Sequence, residues 1–142
     1  MDSRQAQEIL EAATRLLEQE SAFVAEQPLE VRAPQGGRHS WLVPVTCGET
    51  IAGFYEFLPD GTYLRFSVYR SDQLFRDWLV PEKRVHCRPG ESAGTPYLSY
   101  DGSPARIVWA VPVADSSGAT RLVFVAGKTA YPAPAPSQPE TD

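Results

Sequence analysis

The chain has few of the residues that build covalent or metal-bound frameworks. Its 142 residues include two cysteines, Cys47 and Cys87, which are too few for a disulfide framework. A chain of this length buries roughly two thirds of the surface that its unfolded form exposes. It therefore needs neither a disulfide nor a metal to fold. We expect a single domain over residues 1–131, followed by a disordered, proline-rich tail over residues 132–142.

An excess of positive charge is missing as well, and so are long apolar runs. The formal net charge is −5, whereas binding to phosphate groups requires a cationic surface. This argues against nucleic acid and against an anionic membrane as general partners. No run approaches the ~18 apolar residues of a membrane span, and the N-terminus lacks the apolar core of a signal peptide. The resulting expectation is a cytoplasmic protein in a reducing setting.

The chain contains the same sequence pattern at two places. W-x-V-P-V occupies residues 41–45 and 109–113, and G-x-T-x-x-x-F occupies residues 48–54 and 118–124. Each copy contains two apolar runs around a glycine-marked turn, which is typical of a β-hairpin. The offset that aligns Trp41 with Trp109 also pairs Pro28 with Pro96. We interpret this as an internal repeat of residues 3–58 and 71–126; the alternative is two unrelated hairpins in one sheet.

The helical patterns are weaker than the strand patterns. Apolar residues spaced by three and four predict an amphipathic helix from Asp2 or Ser3 to near Phe23. Residues 71–80 predict a shorter helix that begins at Ser71 and ends before Pro81. The predicted fold class is α+β, with the N-terminal helix packed on an antiparallel β-sheet of about six to seven strands, organised as two helix-plus-hairpin halves.

Two prolines interrupt strand-like runs at matching places in the two copies. Pro44 and Pro112 lie inside the W-x-V-P-V segments. A proline cannot donate a hydrogen bond to a sheet. Each of these strands is therefore expected at a sheet edge or at a bulge.

The clearest hairpin joins residues 50–58 to residues 62–69 across Pro59-Asp60-Gly61. Pairing Leu58 with Thr62 places four aromatic residues and an arginine on one face. Such a patch exceeds what a monomer normally exposes, so either the second half of the chain or a partner should cover it. These candidate binding residues are Tyr55, Phe57, Tyr63, Arg65 and Tyr69.

The candidates for catalysis do not have the sequence context that their chemistry needs. Gly90-Glu91-Ser92-Ala93-Gly94 is similar to the nucleophile elbow of α/β-hydrolases, but prolines flank it and both histidines precede Ser92. The spacing of the histidines and cysteines resembles no zinc motif. A thiol nucleophile formed by Cys87 with His39 or His86 is a further alternative, but no sequence pattern supports it. We expect no catalytic residue, no metal and no cofactor.

The expected function is therefore binding and not catalysis. The first hypothesis is a non-enzymatic binding or accessory module that engages a protein partner, or a second copy of itself, through an apolar sheet face or edge. The alternative is a small-ligand-binding sensor domain with a pocket between the helix and the sheet, lined by tryptophans and tyrosines.

Overall fold

The computed structural model describes residues 3–17 and 22–134, which form one large sheet with one long helix. Within these residues ten strands pair in the order β10-β9-β8-β7-β2-β3-β4-β5, while β1 pairs with β3 and β6 pairs with β8. The helices are α1 (Ser3–Leu16) and α2 (Phe75–Trp78), and a 3-10 helix covers Pro81–Arg84. The strands are β1 (Val24–Ala25), β2 (Leu29–Arg32), β3 (Arg38–Cys47), β4 (Thr50–Phe57), β5 (Tyr63–Val68), β6 (Ser92–Ala93), β7 (Tyr97–Tyr100), β8 (Ile107–Ala114), β9 (Thr120–Ala126) and β10 (Thr129–Pro132).

The prediction of an antiparallel sheet of six to seven strands is wrong. The sheet is mixed, because β2 and β7 run parallel and pair Val31 with Leu98. Two features of this arrangement leave no recognisable pattern in the sequence. Parallel neighbours are not joined by a tight turn, so no local turn signal announces them. The strands β1 and β6 have two residues each, which is too short for an alternating pattern.

The two prolines lie in central strands and not at the edges of the sheet. The strand beside β3 is broken in two, with β2 pairing up to Leu42 and β1 pairing from Val45. Pro44 lies opposite this break, and its carbonyl accepts a hydrogen bond from the Glu26 N–H at 2.8 Å. Pro112 occupies the corresponding break between β7 and β6, where its carbonyl accepts from the Gly94 N–H at 2.7 Å. Because the neighbouring strand is interrupted there, a missing N–H costs no ladder hydrogen bond.

The sheet has an inner face, which encloses most of the core, and an outer face. Val31 and Leu98 are neighbours across the parallel pairing, so they share the inner face. The inner core joins buried residues of both halves of the chain: Val31, Leu42, Ile51, Phe54, Trp78, Leu98, Trp109, Val111, Val113, Val123 and Val125. The sheet therefore curls around a core to which β2 to β4 and β7 to β9 all contribute.

The outer face is covered differently over its two parts. Over β3 and β4, Ile9 and Ala13 of α1 pack on Trp41, Val43 and Phe57. Over β8 and β9, a smaller cluster of Val108, Ala110 and Phe124 is flanked by Tyr97, Leu122, Tyr131 and Ala133. The long helix thus covers only the first half of the sheet.

Both predicted helices are longer than those observed. α1 ends at Leu16, and residues 18–21 lie outside the described part of the chain. The second helix is reduced to four residues, because Ser71 does not cap it: its hydroxyl accepts from the Gln73 N–H, and Leu74 forms a β-bridge with Thr50. Local side-chain bonds of this type compete with helix formation.

The predicted hairpin between β4 and β5 is confirmed. Gly61 has a φ of +94°, and its N–H donates to the Leu58 carbonyl at 2.9 Å, which closes the turn. At the other end of the sheet, β10 includes Pro132, and the Ala133 N–H donates to the Leu122 carbonyl at 3.0 Å. The rest of the predicted tail, residues 135–142, lies outside the described residues.

Candidate functional site

The five candidate binding residues are divided between the two faces of the sheet. Phe57 pairs with Tyr63, but Glu56 pairs with Arg65, so the register shifts by one residue between these pairs. A shift of one residue moves the following side chains to the opposite face. Tyr55, Phe57 and Tyr63 consequently lie on the outer face. Arg65 and Tyr69 line a pocket on the inner face.

The outer-face residues form an aromatic cluster next to α1. The Tyr55 ring lies 4.9 Å from the Phe66 ring and 6.0 Å from the Tyr63 ring, centroid to centroid. Phe57 is buried beneath α1, whereas Tyr63 keeps 47% of its surface exposed. The cluster therefore runs from the core outward to solvent along β5.

β5 is the last strand in the sheet order and is exposed along nearly its whole length. Tyr69, just beyond its end, donates its N–H to the Ala52 carbonyl at 3.1 Å. Backbone groups in an antiparallel pair alternate between the two sides of a strand. The peptide groups of Phe66 and Val68 therefore point to the open edge, and both side chains are exposed and apolar.

A pocket of about 220 Å³ lies on the inner face, between β5 on one side and β8 and β9 on the other. Four aromatic residues line it: Phe54, Tyr69, Trp78 and Trp109. The Trp78 ring lies 5.1 Å from Phe54 and 5.0 Å from Trp109, so α2 joins the two sides of the pocket. The Gln73 side-chain amide fixes the loop before α2 by donating to the Gly127 carbonyl at 3.2 Å.

The buried charged residue of this pocket is Glu56, which is only 3% exposed. Its Oε2 accepts from the Ser40 hydroxyl at 2.7 Å, and its Oε1 lies 3.5 Å from Arg65 Nε. A guanidinium–carboxylate hydrogen bond is normally about 2.7–2.9 Å long, so the ion pair with Arg65 is loose. His39 Nε2, 4.0 Å from Oε2, is also beyond hydrogen-bond distance. A buried carboxylate with one close hydrogen bond is a costly arrangement.

Two further polar groups at the pocket have different environments. Tyr69 donates its hydroxyl to Gln73 Oε1 at 2.8 Å, and burial raises the pKa of this hydroxyl, which keeps it neutral. The Trp109 Nε1 is buried and has no hydrogen-bond partner among the described residues. An unpaired buried donor costs about 1–3 kcal/mol. The pocket thus combines apolar walls with polar groups that are incompletely paired.

The residues considered for catalysis lie elsewhere. Ser92 is an exposed residue of β6, beside a tight ion pair in which Arg121 donates to Glu91 at 2.9 and 3.0 Å. The hydrogen bonds from Arg121, with one from the Arg88 N–H, lower the pKa of Glu91 to about 2. Cys47 and Cys87 are both free thiols. Among residues 3–17 and 22–134, no three histidine, cysteine or acidic side chains are placed to hold a metal ion.

Comparison with known proteins gives no relative from which a role could be inferred: no family model, no curated protein and no solved structure matches this chain. Within the described part of the chain, no helix has the length and apolar character needed to cross a membrane.

Sequence reasoning missed Glu56 as a pocket residue, and although it expected tryptophans to line a pocket, it did not identify Trp78 and Trp109 as those residues. A signal for Glu56 was present, since it is the single charged residue in the run Ile51-Ala52-Gly53-Phe54-Tyr55-Glu56-Phe57-Leu58. A lone acid in a strand that is apolar on both faces must be buried or lie at a break in the pairing. The contact between Trp78 and Trp109 carried no comparable signal, because it depends on how the sheet curls.

Proposed function

We propose that the protein is a non-enzymatic binding module whose β5 edge accepts an extended segment of a protein partner. The observation that carries the proposal is the exposure of β5 on both faces, with apolar side chains along it. An open edge offers unpaired N–H and C=O groups, and proteins commonly recognise extended segments by adding them to such an edge.

The two edges of the sheet differ in a way that favours this reading. β10 ends in Pro132, and its Tyr131 hydroxyl is held by Asp101 at 2.7 Å. β5 contains no proline and has one charged residue, Arg65, whose side chain turns to the inner pocket. Charges and prolines are the usual protection of an edge strand against pairing with other chains. β10 carries such protection at its end, whereas the outward groups of β5 have none.

The side chains that would flank an added strand define the partner. On the outer face they are Tyr63, Phe66 and Val68, of which Val68 is 63% exposed. An extended segment with apolar residues at alternate positions would bury them together with the aromatic ring of Tyr55. A second copy of the chain offers one such segment, β5 itself.

Photocrosslinking tests the proposal directly. A photoreactive amino acid at position 66, in protein incubated with an extract of its own cells, should crosslink to an extended segment of a partner. Val68→Lys should abolish the crosslink, because it places a charge among the apolar side chains that the partner would bury. Val24→Lys is the matched control, since Val24 is an exposed strand valine, 54% accessible, outside β5.

Each outcome of this experiment is informative. A crosslink to the chain itself, with a dimer in sedimentation, identifies a second copy as the partner. Absence of any crosslink, or one that Val68→Lys leaves intact, contradicts the proposal. Both lysine variants should keep their free energy of unfolding within about 0.5 kcal/mol, because their side chains are exposed.

The compartment that we infer for this module is the cytoplasm. Both cysteines are free, and Cys47 is exposed. Exposed thiols persist in reducing compartments, whereas oxidising ones favour disulfides.

A further inference from the structure

We propose that the inner pocket binds a small zwitterionic molecule, an amino acid with an apolar side chain, whose ammonium group pairs with Glu56 and whose carboxylate pairs with Arg65. This site shares β5 with the strand-binding edge, but it lies on the inner face of the sheet and goes beyond the function proposed above.

The need of Glu56 for a donor is the first argument. The carboxylate is buried, accepts one close hydrogen bond and lies 3.5 Å from Arg65 Nε. Removing a charge from water is unfavourable unless hydrogen bonds replace the lost hydration. An ammonium group has three N–H donors on a compact cation, which suits the remaining acceptor positions of a carboxylate.

The position of Arg65 indicates that the ligand also carries a negatively charged group. Its side chain is 38% exposed, so the guanidinium stands toward solvent while Glu56 is enclosed. A simple cation at Glu56 would be repelled by Arg65, and a simple anion at Arg65 would be repelled by Glu56. A molecule with both charges satisfies the two residues at once. Arg is also the side chain best shaped to bind a carboxylate through two parallel hydrogen bonds.

The size and walls of the pocket define the rest of the molecule. The volume of about 220 Å³ is below the roughly 300–1,000 Å³ of most ligand pockets, which suits a molecule as small as a single amino acid. The rings of Trp78 and Trp109 approach to 5.0 Å and, with Phe54, provide a surface for an apolar side chain. Aromatic faces also attract an ammonium group.

Isothermal titration calorimetry with four probes tests the charges of the ligand. L-tryptophan and L-leucine carry both charges, tryptamine lacks the carboxylate, and indole-3-propionate lacks the ammonium group. We expect at least one of the two amino acids to bind. If it is L-tryptophan, both analogues should bind about tenfold or more weakly, the loss expected for one charged hydrogen bond.

Variants assign each charge to its residue. Glu56→Gln keeps the shape of the side chain and should weaken amino acid binding about tenfold or more, and Arg65→Met should do the same. Arg76→Met is the matched control, because Arg76 is an exposed residue of α2 that does not line the pocket. Arg65→Met also answers the question alone if Glu56→Gln fails to fold, since Arg65 is partly exposed.

The proposal is overturned if neither amino acid binds at millimolar concentration, or if Glu56→Gln and Arg65→Met leave the affinity unchanged. Its failure is distinguishable from failure of the edge proposal. Val68 lines both the edge and the pocket, so Glu56 in β4 separates the two proposals: Glu56→Gln should weaken amino acid binding and leave the crosslink from position 66 in place.

Discussion

The two halves of the sheet share their strand pairing but bury opposite faces. In the first half Trp41 pairs with Phe57 and Glu30, and in the second half Trp109 pairs with Val125 and Leu98. One and the same offset along the chain relates all three positions of the first half to those of the second. Yet Trp41 lies on the outer face beneath α1, whereas Trp109 lies on the inner face in the shared core.

The parallel contact between β2 and β7 accounts for this inversion. At the offset that relates the two tryptophans, Val31 corresponds to Ser99, but its actual neighbour is Leu98. Side chains along a strand alternate between the two faces of the sheet. Because Val31 pairs with Leu98 and not with Ser99, corresponding positions of the two halves lie on opposite faces. The second half can then fill the inner core with the positions that the first half presents to α1. Such pairing is what a duplication would leave, and the internal repeat stays a prediction.

The strand pairing aligns the two copies differently from the sequence pattern. Pro44 pairs with Phe54, and Pro112 pairs with Leu122. The pairing therefore matches Phe54 to Leu122, although the G-x-T-x-x-x-F pattern matched it to Phe124. The G-x-T-x-x-x-F patterns are displaced by two residues relative to the strand pairing, so they do not mark equivalent positions. The shorter β3–β4 turn coincides with a bulge between Val45 and Thr46.

The largest expected effect comes from removing the two tryptophans in turn. Trp109→Ala should lower the free energy of unfolding by about 3–5 kcal/mol, as measured by urea denaturation. Trp41→Ala should cost less within that range, because Trp109 packs between both halves while Trp41 packs between one half and α1. A larger loss for Trp41→Ala would break the claim that the inner core holds the halves together.

Replacing each tryptophan with phenylalanine should reverse that order. Trp41 Nε1 donates to Gln5 Oε1 at 3.0 Å, and its ring lies 4.6 Å below the guanidinium of Arg38. Trp41→Phe loses this hydrogen bond, whereas Trp109→Phe removes a buried donor that has no partner among the described residues. We expect Trp41→Phe to be the more destabilising by about 1 kcal/mol. The same order as in the alanine pair would show that Trp109 Nε1 is satisfied.

The sequence was informative where structure is local and uninformative where it is not. The Pro59-Asp60-Gly61 turn, the β8–β9 hairpin and the amphipathic α1 were readable because each depends on neighbours in the chain. The parallel β2–β7 pairing and the inner pocket depend on contacts between distant strands. The single-residue shift after Glu56 divided the predicted binding face into an outer cluster and a pocket, and the lone acid in that run did not by itself reveal the shift.

The smallest expected effect comes from comparing two tyrosines in the edge strands, Tyr63 in β5 and Tyr131 in β10. The offset that relates Trp41 to Trp109 also relates these two residues. Burial, together with the hydrogen bond to Asp101, raises the pKa of Tyr131 to about 12. Because the folded pKa lies above the ordinary value of 10.0, this contribution to stability is complete below that pH and is lost as the pH rises toward 12.

Tyr131→Phe should therefore lower the free energy of unfolding at neutral pH by about 0.5–1.5 kcal/mol, the usual contribution of one hydrogen bond, and should weaken the loss of stability at alkaline pH. Tyr63→Phe is the matched control and should change stability by no more than about 0.5 kcal/mol, because its side chain is 47% exposed. Thermal melts of the three proteins between neutral and alkaline pH measure both effects. Equal losses for the two variants would mean that the two edges are held alike, and β5 would lose its distinction as the open edge.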